Sequence, residues 1–551
     1  MSNGLLINYA GVPYEMSSLF PDNGLASLAA VLMKQNHSVQ IRDFSTTDTI
    51  GEIYQPEIRS ELIKLAPKVY GQGHLEESEI SDLRKIDNAI QESESAFLQK
   101  SIYALNQYIR KNNVSWVGFK LWMGSIQQSM EMAAALKKMN PGLKIFGGGP
   151  STDIFQQTIL KKYPFIDALV FCEGENALPL LIEWAQGKGN RSQIPNIIYH
   201  NGSDMVTNPT ERIQDLDRLP YPTYDPEIYP AMAGDQKMKI LCFDDSRGCP
   251  MGCAFCPGTS KFGKNRIEKT SERCVAELSY LKEKYRVRYF RFSGSNTSVK
   301  LLKSIAEKLI ENQTDIIFAV FSSATGLNSE IVKQLRAAGL YSIFVGIESA
   351  NPAQLIEQLG KNQSLARLKE VFQVCKQSGV FISTSMIYPA PFSDQDILQD
   401  NIDYLLENFK GYENCSVAVY PAGLYPHTQW FNNMDKYGFS LNCPSNEEYI
   451  ETALDYRYNI VLPRYLWKVL PYQLNNKSFL EMLMETNRLA EALKKQGIIP
   501  YLVEANLMMA QALGYTQYKK FALDSNLAFF SGDVDRLEAW NRRFNHAQMD
   551  F

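Results

Sequence analysis

No apolar run in this chain approaches the roughly 18 residues a membrane span needs. The opening MSNGLLINYAGVPYEM lacks the basic stretch and long apolar core of a secretory signal. Neither sign of charge dominates. Fifty-six Lys and Arg stand against 60 Asp and Glu, a formal charge of -4. That argues against a nucleic-acid partner gripped mainly by charge, and there is neither a basic stripe nor an appended RNA-binding module. Nine cysteines in 551 residues are too few and too scattered for a disulfide scaffold. Internal repeats and low-complexity tracts are also missing. What remains is a cytoplasmic globular protein with no membrane span and no nucleic-acid partner. Its 45% hydrophobic and 21% charged residues are the balance of an ordinary globular protein, and 551 residues suit about three domains.

The pattern predicts an α/β protein in three parts. Residues 1–206 alternate short apolar runs with helical patterns. Strands are expected at Leu5–Tyr9, Val39–Asp43, Val114–Phe119, Leu143–Phe146 and Ala168–Cys172, and helices at Gly24–Lys34, Ser125–Lys138 and Ala177–Gln186. This reads as a doubly wound, Rossmann-like domain that binds ligand beyond the carboxyl ends of its strands. A polar insertion over residues 48–112 reads as a solvated helical excursion, or as a lid. Residues 207–236, rich in proline, read as an extended linker. Residues 237–430 carry a second series, with strands at Ile240–Asp244, Tyr289–Ser293, Ile317–Ser322, Ser342–Gly346, Phe381–Ile387 and Cys415–Tyr420. Six strand–helix units predict a partial (β/α)6, TIM-like barrel with its active site at the carboxyl ends. Residues 431–551 lose the alternation and read as a mainly helical domain, with helices at Lys477–Gln496 and Pro500–Leu513.

Cys172, Cys242, Cys274, Cys375, Cys415 and Cys443 are spread singly and read as small buried apolar residues. Cys249, Cys253 and Cys256 are grouped in Ser246-Arg247-Gly248-Cys249-Pro250-Met251-Gly252-Cys253-Ala254-Phe255-Cys256, directly after the first strand of the second series. Zinc normally takes four protein ligands in two pairs, whereas three thiolates suit a 4Fe–4S cluster that keeps one iron open. This C-x3-C-x2-C loop, with an aromatic before its third cysteine, resembles the radical S-adenosylmethionine (SAM) enzymes. The resemblance implies that the open iron chelates the amino and carboxylate groups of SAM. One-electron reduction by an external reductant then yields a 5′-deoxyadenosyl radical. It also implies SAM contacts from Phe255, from Ser293 and Ser295 after the second strand, and from Ser322 and Ser323 after the third. The family commonly has an acidic residue near Ser293, and this chain does not. Glu348, in Gly346-Ile347-Glu348-Ser349, and Ser385 are further implied contacts. Their structural alternatives are a paired buried carboxylate and a satisfied core hydroxyl.

The first domain resembles the cobalamin-binding domains of radical SAM enzymes. The matching segments are Pro21-Asp22-Asn23-Gly24-Leu25, Leu121-Trp122-Met123-Gly124-Ser125, Gly147-Gly148-Gly149-Pro150 and Glu173-Gly174-Glu175-Asn176. The resemblance implies cobalamin contacts at Asn23, Leu121, Trp122, Met123, Gly124, Ser125, Gly147, Gly148, Gly149, Glu173, Gly174 and Glu175. None of His37, His74, His200, His427 and His546 lies in a D-x-H-x-x-G motif. Cobalt would then lack a lower histidine ligand, and Trp122, with Leu121 or Met123 as alternatives, would cover that face. A bulky apolar group there would disfavour a sixth ligand and ease cycling between methylated and reduced cobalt.

With a 4Fe–4S cluster, SAM and cobalamin, the expected activity is methylation of an unactivated carbon. One SAM would methylate cobalt and a second would make the substrate radical. Cyclisation, rearrangement or oxidation without methyl transfer is the alternative, and a cofactor-binding sensor is a third reading. The substrate, a small molecule or peptide, stays open among peptides, antibiotic intermediates, lipids and tetrapyrroles. The C-terminal aromatics Tyr465, Trp467, Tyr472 and Trp540 would either shape substrate choice or pack a core.

Overall fold

The computed structural model describes residues 3–71, 75–499 and 502–548; His74 and Pro500 lie outside the described residues. The first sheet has seven strands: β1 (Asn3–Asn8), β2 (Ser38–Asp43), β3 (Trp116–Lys120), β4 (Lys144–Gly148), β5 (Ala168–Val170), β6 (Ile197–Asn201) and β7 (Asp204–Thr207). Their spatial order is β2-β1-β3-β4-β5-β6-β7. The first five pair in parallel, while β6 and β7 add an antiparallel edge that the apolar pattern did not announce. Both faces are covered. Leu6 and Phe146 join one core, and Leu5, Ile7 and Ile145 join the other. That is why these strands read as continuous apolar runs rather than alternating ones. The helix Asn23–Lys34 starts where the Asp22 side chain accepts a hydrogen bond from the Leu25 amide at 2.8 Å. The register sets Asn8 beside both Asp43 and Lys120, so three polar strand ends meet at the carboxyl edge.

The insertion is helical but is not a solvated excursion. It forms the helices Thr47–Ile53, Pro56–Gly71 and Glu77–Lys111. Ile50, Ile53, Leu62 and Ile90 share one core with Leu507, Phe521, Phe529 and Phe544 of the C-terminal part. Its polar composition hid a narrow apolar stripe, which the distant C-terminal helices cover. The linker is anchored as well. Tyr224 and Tyr229 are fully buried. Tyr229 donates to the Asp43 carboxylate and accepts from the Asp22 amide.

In the second series β8 (Leu241–Phe243) is followed by the two-residue strands β9 (Ser246–Arg247) and β10 (Ile267–Glu268), which pair antiparallel. Then come β11 (Tyr289–Phe292), β12 (Ile317–Phe321), β13 (Leu340–Phe344), β14 (Phe381–Ile387) and β15 (Cys415–Tyr420). The parallel sheet runs β15-β14-β13-β12-β11-β8 and does not close, a six-stranded partial barrel. Phe290, Phe318, Ile343 and Ile382 pack outward with the covering helices. Tyr289, Ala319, Tyr341 and Phe381 face the other way, onto Leu507, Met508 and Met509. The helix Glu504–Ala512 therefore fills the concave side of the open barrel. It is pinned where the Ser342 hydroxyl donates to the Glu504 carbonyl at 2.7 Å.

The C-terminal part is mainly helical, with a small antiparallel sheet of β16 (Phe439–Leu441), β17 (Tyr472–Leu474) and β18 (Lys477–Ser478) that the sequence reading missed. Tyr472 and Trp540 pack into cores. Of the single cysteines, Cys274, Cys375 and Cys415 are buried as expected, whereas Cys172, Cys242 and Cys443 are only half-buried. Among the described residues no helix is long and apolar enough to cross a membrane.

Candidate active site

The cysteine loop leaves β9 at Gly248. This residue adopts φ +91°, and a Cβ there would overlap the Asn265 carbonyl oxygen, so only glycine fits. The loop docks on the segment that follows β13, where the Ala254 amide donates to the Leu359 carbonyl at 2.9 Å. All three thiols are half-buried. The Asn296 amide lies 3.6 Å from Cys249 Sγ. The Gly258 and Thr259 backbone amides donate to Cys256, at the start of the helix Pro257–Phe262. Burial pushes the Cys253 thiol up to about 12 against the pull of the Lys361 charge, and burial also raises Cys256. Binding iron would remove those protons. Among the described residues no three His, Cys, Asp or Glu side chains gather around a single-ion position. Three thiols in one loop, with no fourth protein ligand beside them among the described residues, suit a multi-iron cube better than a lone zinc. Phe255 turns toward Trp430, with ring centroids 5.7 Å apart.

Of the residues expected at SAM, Glu348 and Ser385 are brought together. The Ser385 hydroxyl donates to Glu348 Oε2 at 2.9 Å, and Lys361 Nζ sits 2.9 Å from Oε1. Glu348 holds φ +69°, rare for a residue with a side chain, at a site buried to 7% exposure. Ser293 and Ser295 are exposed at the barrel mouth. Between them the Gly294 amide donates to Asp245 Oδ1 at 3.0 Å. Ser322 is buried and donates to the Thr297 carbonyl at 2.9 Å, while Ser323 is half-buried.

In the first domain Trp122 follows β3. Its indole N–H donates to Asn8 Oδ1 at 3.2 Å, and Lys120 Nζ lies 4.3 Å from the ring centroid. Burial opposes the charge on Asp22, but the Lys120 ammonium beside it keeps that carboxyl below its usual range. Leu121 is fully buried and Met123 half-buried. Ser125 is buried and donates to the Tyr9 carbonyl at 3.1 Å, which makes it an anchor of the turn. Gly124 has φ +94°, and a Cβ there would overlap the Tyr458 ring.

Asn23, Gly147, Gly148, Gly149, Glu173, Gly174 and Glu175 line one cavity of about 320 Å³. Ser246, Arg247, Ser293 and Ser295 of the barrel line the same cavity from the other side. Its glycines leave room at the strand ends, and Leu6, Leu28 and Val170 supply apolar wall. This is a lining that fits part of a large, mostly apolar ligand such as cobalamin. Asn23 Oδ1 accepts from Tyr224 at 3.0 Å. Glu173 and Glu175 are not free to face a ligand alone: Arg247 reaches them at 3.2 and 2.6 Å. The half-buried Cys172 also lines this space, with φ +60°. The sequence reading missed Asp245, Arg247, Asn296 and Lys361. Asp244, Asp245 and Arg247, charged residues at an apolar strand end just before the cysteines, were the available signal.

The Radical SAM superfamily matches residues 245–401, and the B12 binding domain matches residues 92–182. This chain carries a radical SAM domain joined to a B12-binding domain. A 4Fe–4S cluster, SAM and cobalamin are the cofactors of those domains. An uncharacterised methyltransferase of Pyrococcus horikoshii is 25% identical over 57% of this chain and 69% of its own. The anaerobic magnesium-protoporphyrin IX monomethyl ester cyclase of Rubrivivax gelatinosus is 27% identical over 46% of each chain. A 2-(S-pantetheinyl)-carbapenam-3-carboxylate methyltransferase of Streptantibioticus cattleyicolor is 23% identical over 65% of this chain and 54% of its own. The chain thus spans about half the length of the latter two. Among solved structures, the radical SAM methyltransferase TsrM of Kitasatospora setae, with cobalamin and a [4Fe-4S] cluster bound, has a TM-score of 0.63 at 13% identity. That match covers 98% of this chain and 99% of TsrM, and it shows a shared fold.

Proposed function

We propose that the protein is a cobalamin-dependent radical SAM methyltransferase acting on an unactivated carbon. The cavity shared by the two domains supports this most. Glycines of the B12-binding domain and serines of the barrel mouth face each other across it. When bound, the cluster with SAM supplies a carbon-centred radical and cobalamin a transferable methyl group, given an external one-electron reductant. Cys249, Cys253 and Cys256 would hold three irons, with the Gly258 and Thr259 amides easing the charge on Cys256. Ser293, Ser295, Ser323 and the joined Glu348 and Ser385 would seat SAM. Asp245 would hold the Gly294 turn that carries the two serines. Asn23, the Gly147–Gly149 run and Gly174 would take cobalamin's tail. Trp122, oriented by Asn8, would cover the corrin face that a histidine occupies elsewhere.

The identity to the cyclase supports a second reading: the same cofactors, with ring closure in place of methyl transfer. Anaerobically reconstituted protein is expected to hold about four irons and one cobalamin per chain. Cys253→Ala should abolish 5′-deoxyadenosine formation and keep cobalamin, because the two sites sit in different domains. Cleavage of SAM by Cys253→Ala would sink the cluster assignment. With substrate present, S-adenosylhomocysteine formed in step with product marks methyl transfer; its absence beside a cyclised, rearranged or oxidised product marks the second reading.

A further inference from the structure

A buried ion pair at the carboxyl end of the first sheet has no part in the chemistry assigned so far. Asp43 ends β2, and Lys237 follows the linker. The Lys237 ammonium lies 2.7 Å from Asp43 Oδ2, and both side chains are fully buried. Lys237 also donates to the Ser45 carbonyl at 2.8 Å. Asp43 Oδ2 further accepts from the Tyr229 hydroxyl. Its Oδ1 accepts from the Ser45 amide at 2.9 Å and from Asn8 Nδ2 at 2.8 Å. Taking two charges out of water is expensive, and apolar residues of similar volume are often at least as stable. The pair supplies something apolar residues could not: every group around Asp43 has to donate to it.

That direction reaches Trp122. A carboxylate only accepts and an indole N–H only donates. Asn8 stands between the two, with Nδ2 on Asp43 and Oδ1 on the Trp122 N–H at 3.2 Å. Asp43 thus fixes which way the Asn8 amide faces, and the amide fixes the indole. A second arm leaves the same carboxylate. Tyr229 donates to Asp43 and accepts from the Asp22 amide at 2.8 Å. The Asp22 carboxylate pairs with Lys120, whose ammonium lies 4.3 Å from the Trp122 ring centroid. One arm holds the edge of the ring and the other its face. Tyr229 and Lys237 lie in the linker and at the start of the barrel series, so the ring is held from outside the first domain.

We propose that Asp43, paired with Lys237, is a positioning residue for cobalamin. Through Asn8 it holds the Trp122 ring over the corrin face and keeps a sixth ligand off cobalt. Neither Asp43 nor Lys237 lines the cofactor cavity, so both act through other side chains. This rests on the reading above that sets Trp122 on that face, and it extends that reading to the groups that orient the ring.

The test uses full-length protein with its cluster and isotope-labelled tryptophan, measured with and without hydroxocobalamin. The Trp122 indole N–H resonance is the one missing from Trp122→Phe. In Asp43→Asn the Lys237 ammonium should hold the new amide's oxygen, which turns its NH2 toward Asn8. Asn8 must then offer its own NH2 to the indole, two donors face each other, and that hydrogen bond is lost. The indole proton should move upfield and exchange faster with water. Bound cobalamin should shift toward the spectrum of cobalamin with a sixth ligand. Adding Asn8→Asp exchanges carboxylate and amide and gives the indole an acceptor again. Both signals should return, a rescue that a merely structural role does not give. Should Asp43→Asn fail to fold, the exchanged pair is compared with Asn8→Leu: the first should keep both natural signals and the second lose them. An unchanged indole resonance in Asp43→Asn, or no recovery in the exchanged pair, overturns the proposal. So does an indole shift that leaves the cobalamin spectrum as it was. The enzymatic reading is judged separately, by the iron and cobalamin content of the unsubstituted protein, while the indole is also read without cobalamin.

Discussion

Arg247, two residues before Cys249, reaches across the cavity to Glu175 of the B12-binding domain at 2.6 Å. It also holds Glu173 at 3.2 Å and Asp244 at 2.7 Å, and Glu173 in turn accepts from the Ile213 amide at 2.6 Å. Burial opposes the charge on this guanidinium, but Asp244 and Glu175 keep it firmly protonated. One side chain therefore joins the cysteine loop, the linker and the first domain.

Arg247→Ala should leave three carboxylates facing one another with their cation gone. Breaking such a buried cluster costs about 3–5 kcal/mol. The expected outcome is a lower denaturation midpoint and weaker cobalamin retention. Lys at this position, with one ammonium for three carboxylates, should recover only part of both. An unchanged midpoint in the alanine variant would remove Arg247 from the domain junction.

Asp245 gives a pH dependence of known sign. Burial raises its carboxyl from 3.8 to about 6, against hydrogen bonds from Thr297, Ser246 and the Gly294 amide. The folded state thus binds this proton more tightly than the unfolded state. Its contribution to stability is fully present below about 4 and is lost as pH rises through about 6. Urea midpoints measured across that window should fall more steeply with pH for the natural protein than for Asp245→Asn. Parallel profiles would show that Asp245 does not titrate there.

Gly124→Ala sets a Cβ against the Tyr458 ring at a backbone angle of φ +94°. The strain alone costs about 1 kcal/mol or more. Cobalamin affinity, followed by its visible absorption, should drop. Adding Tyr458→Ala should restore part of it, since the overlap is relieved and the backbone strain is not.

Trp122→Ala removes the ring braced by Asn8 and Lys120. The visible spectrum of bound cobalamin should shift toward that of cobalamin with a sixth ligand, with iron content unchanged. An identical spectrum would make Trp122 a packing residue of the sheet edge.

All six barrel strands were legible because each is a short apolar run bounded by turn residues. β14 and β15 match the expectation residue for residue. The expected helix Gly24–Lys34 runs over Asn23–Lys34, with Asp22 as its cap. The cysteine loop was legible for the same reason: its spacing and its glycines are local. β6, β7 and β16–β18 were missed because they are only two to five residues long, too short for an apolar pattern to mark them. Glu173 and Glu175 were legible as a motif, but their engagement by Arg247 was not.

Periodicity, capping and loop spacing act over a few residues, so the sequence by itself determined the two α/β series, the cysteine centre and the glycine-lined strand ends. The tertiary structure decided which distant groups meet. It covered the insertion's apolar stripe with C-terminal helices and joined Arg247 to Glu173 and Glu175. It also set Glu348 beside Ser385 and Lys361, at 2.9 Å from each. Those partners lie tens to hundreds of residues apart. No local pattern encodes such a meeting; it follows from how the sheets stack and which apolar faces must be covered.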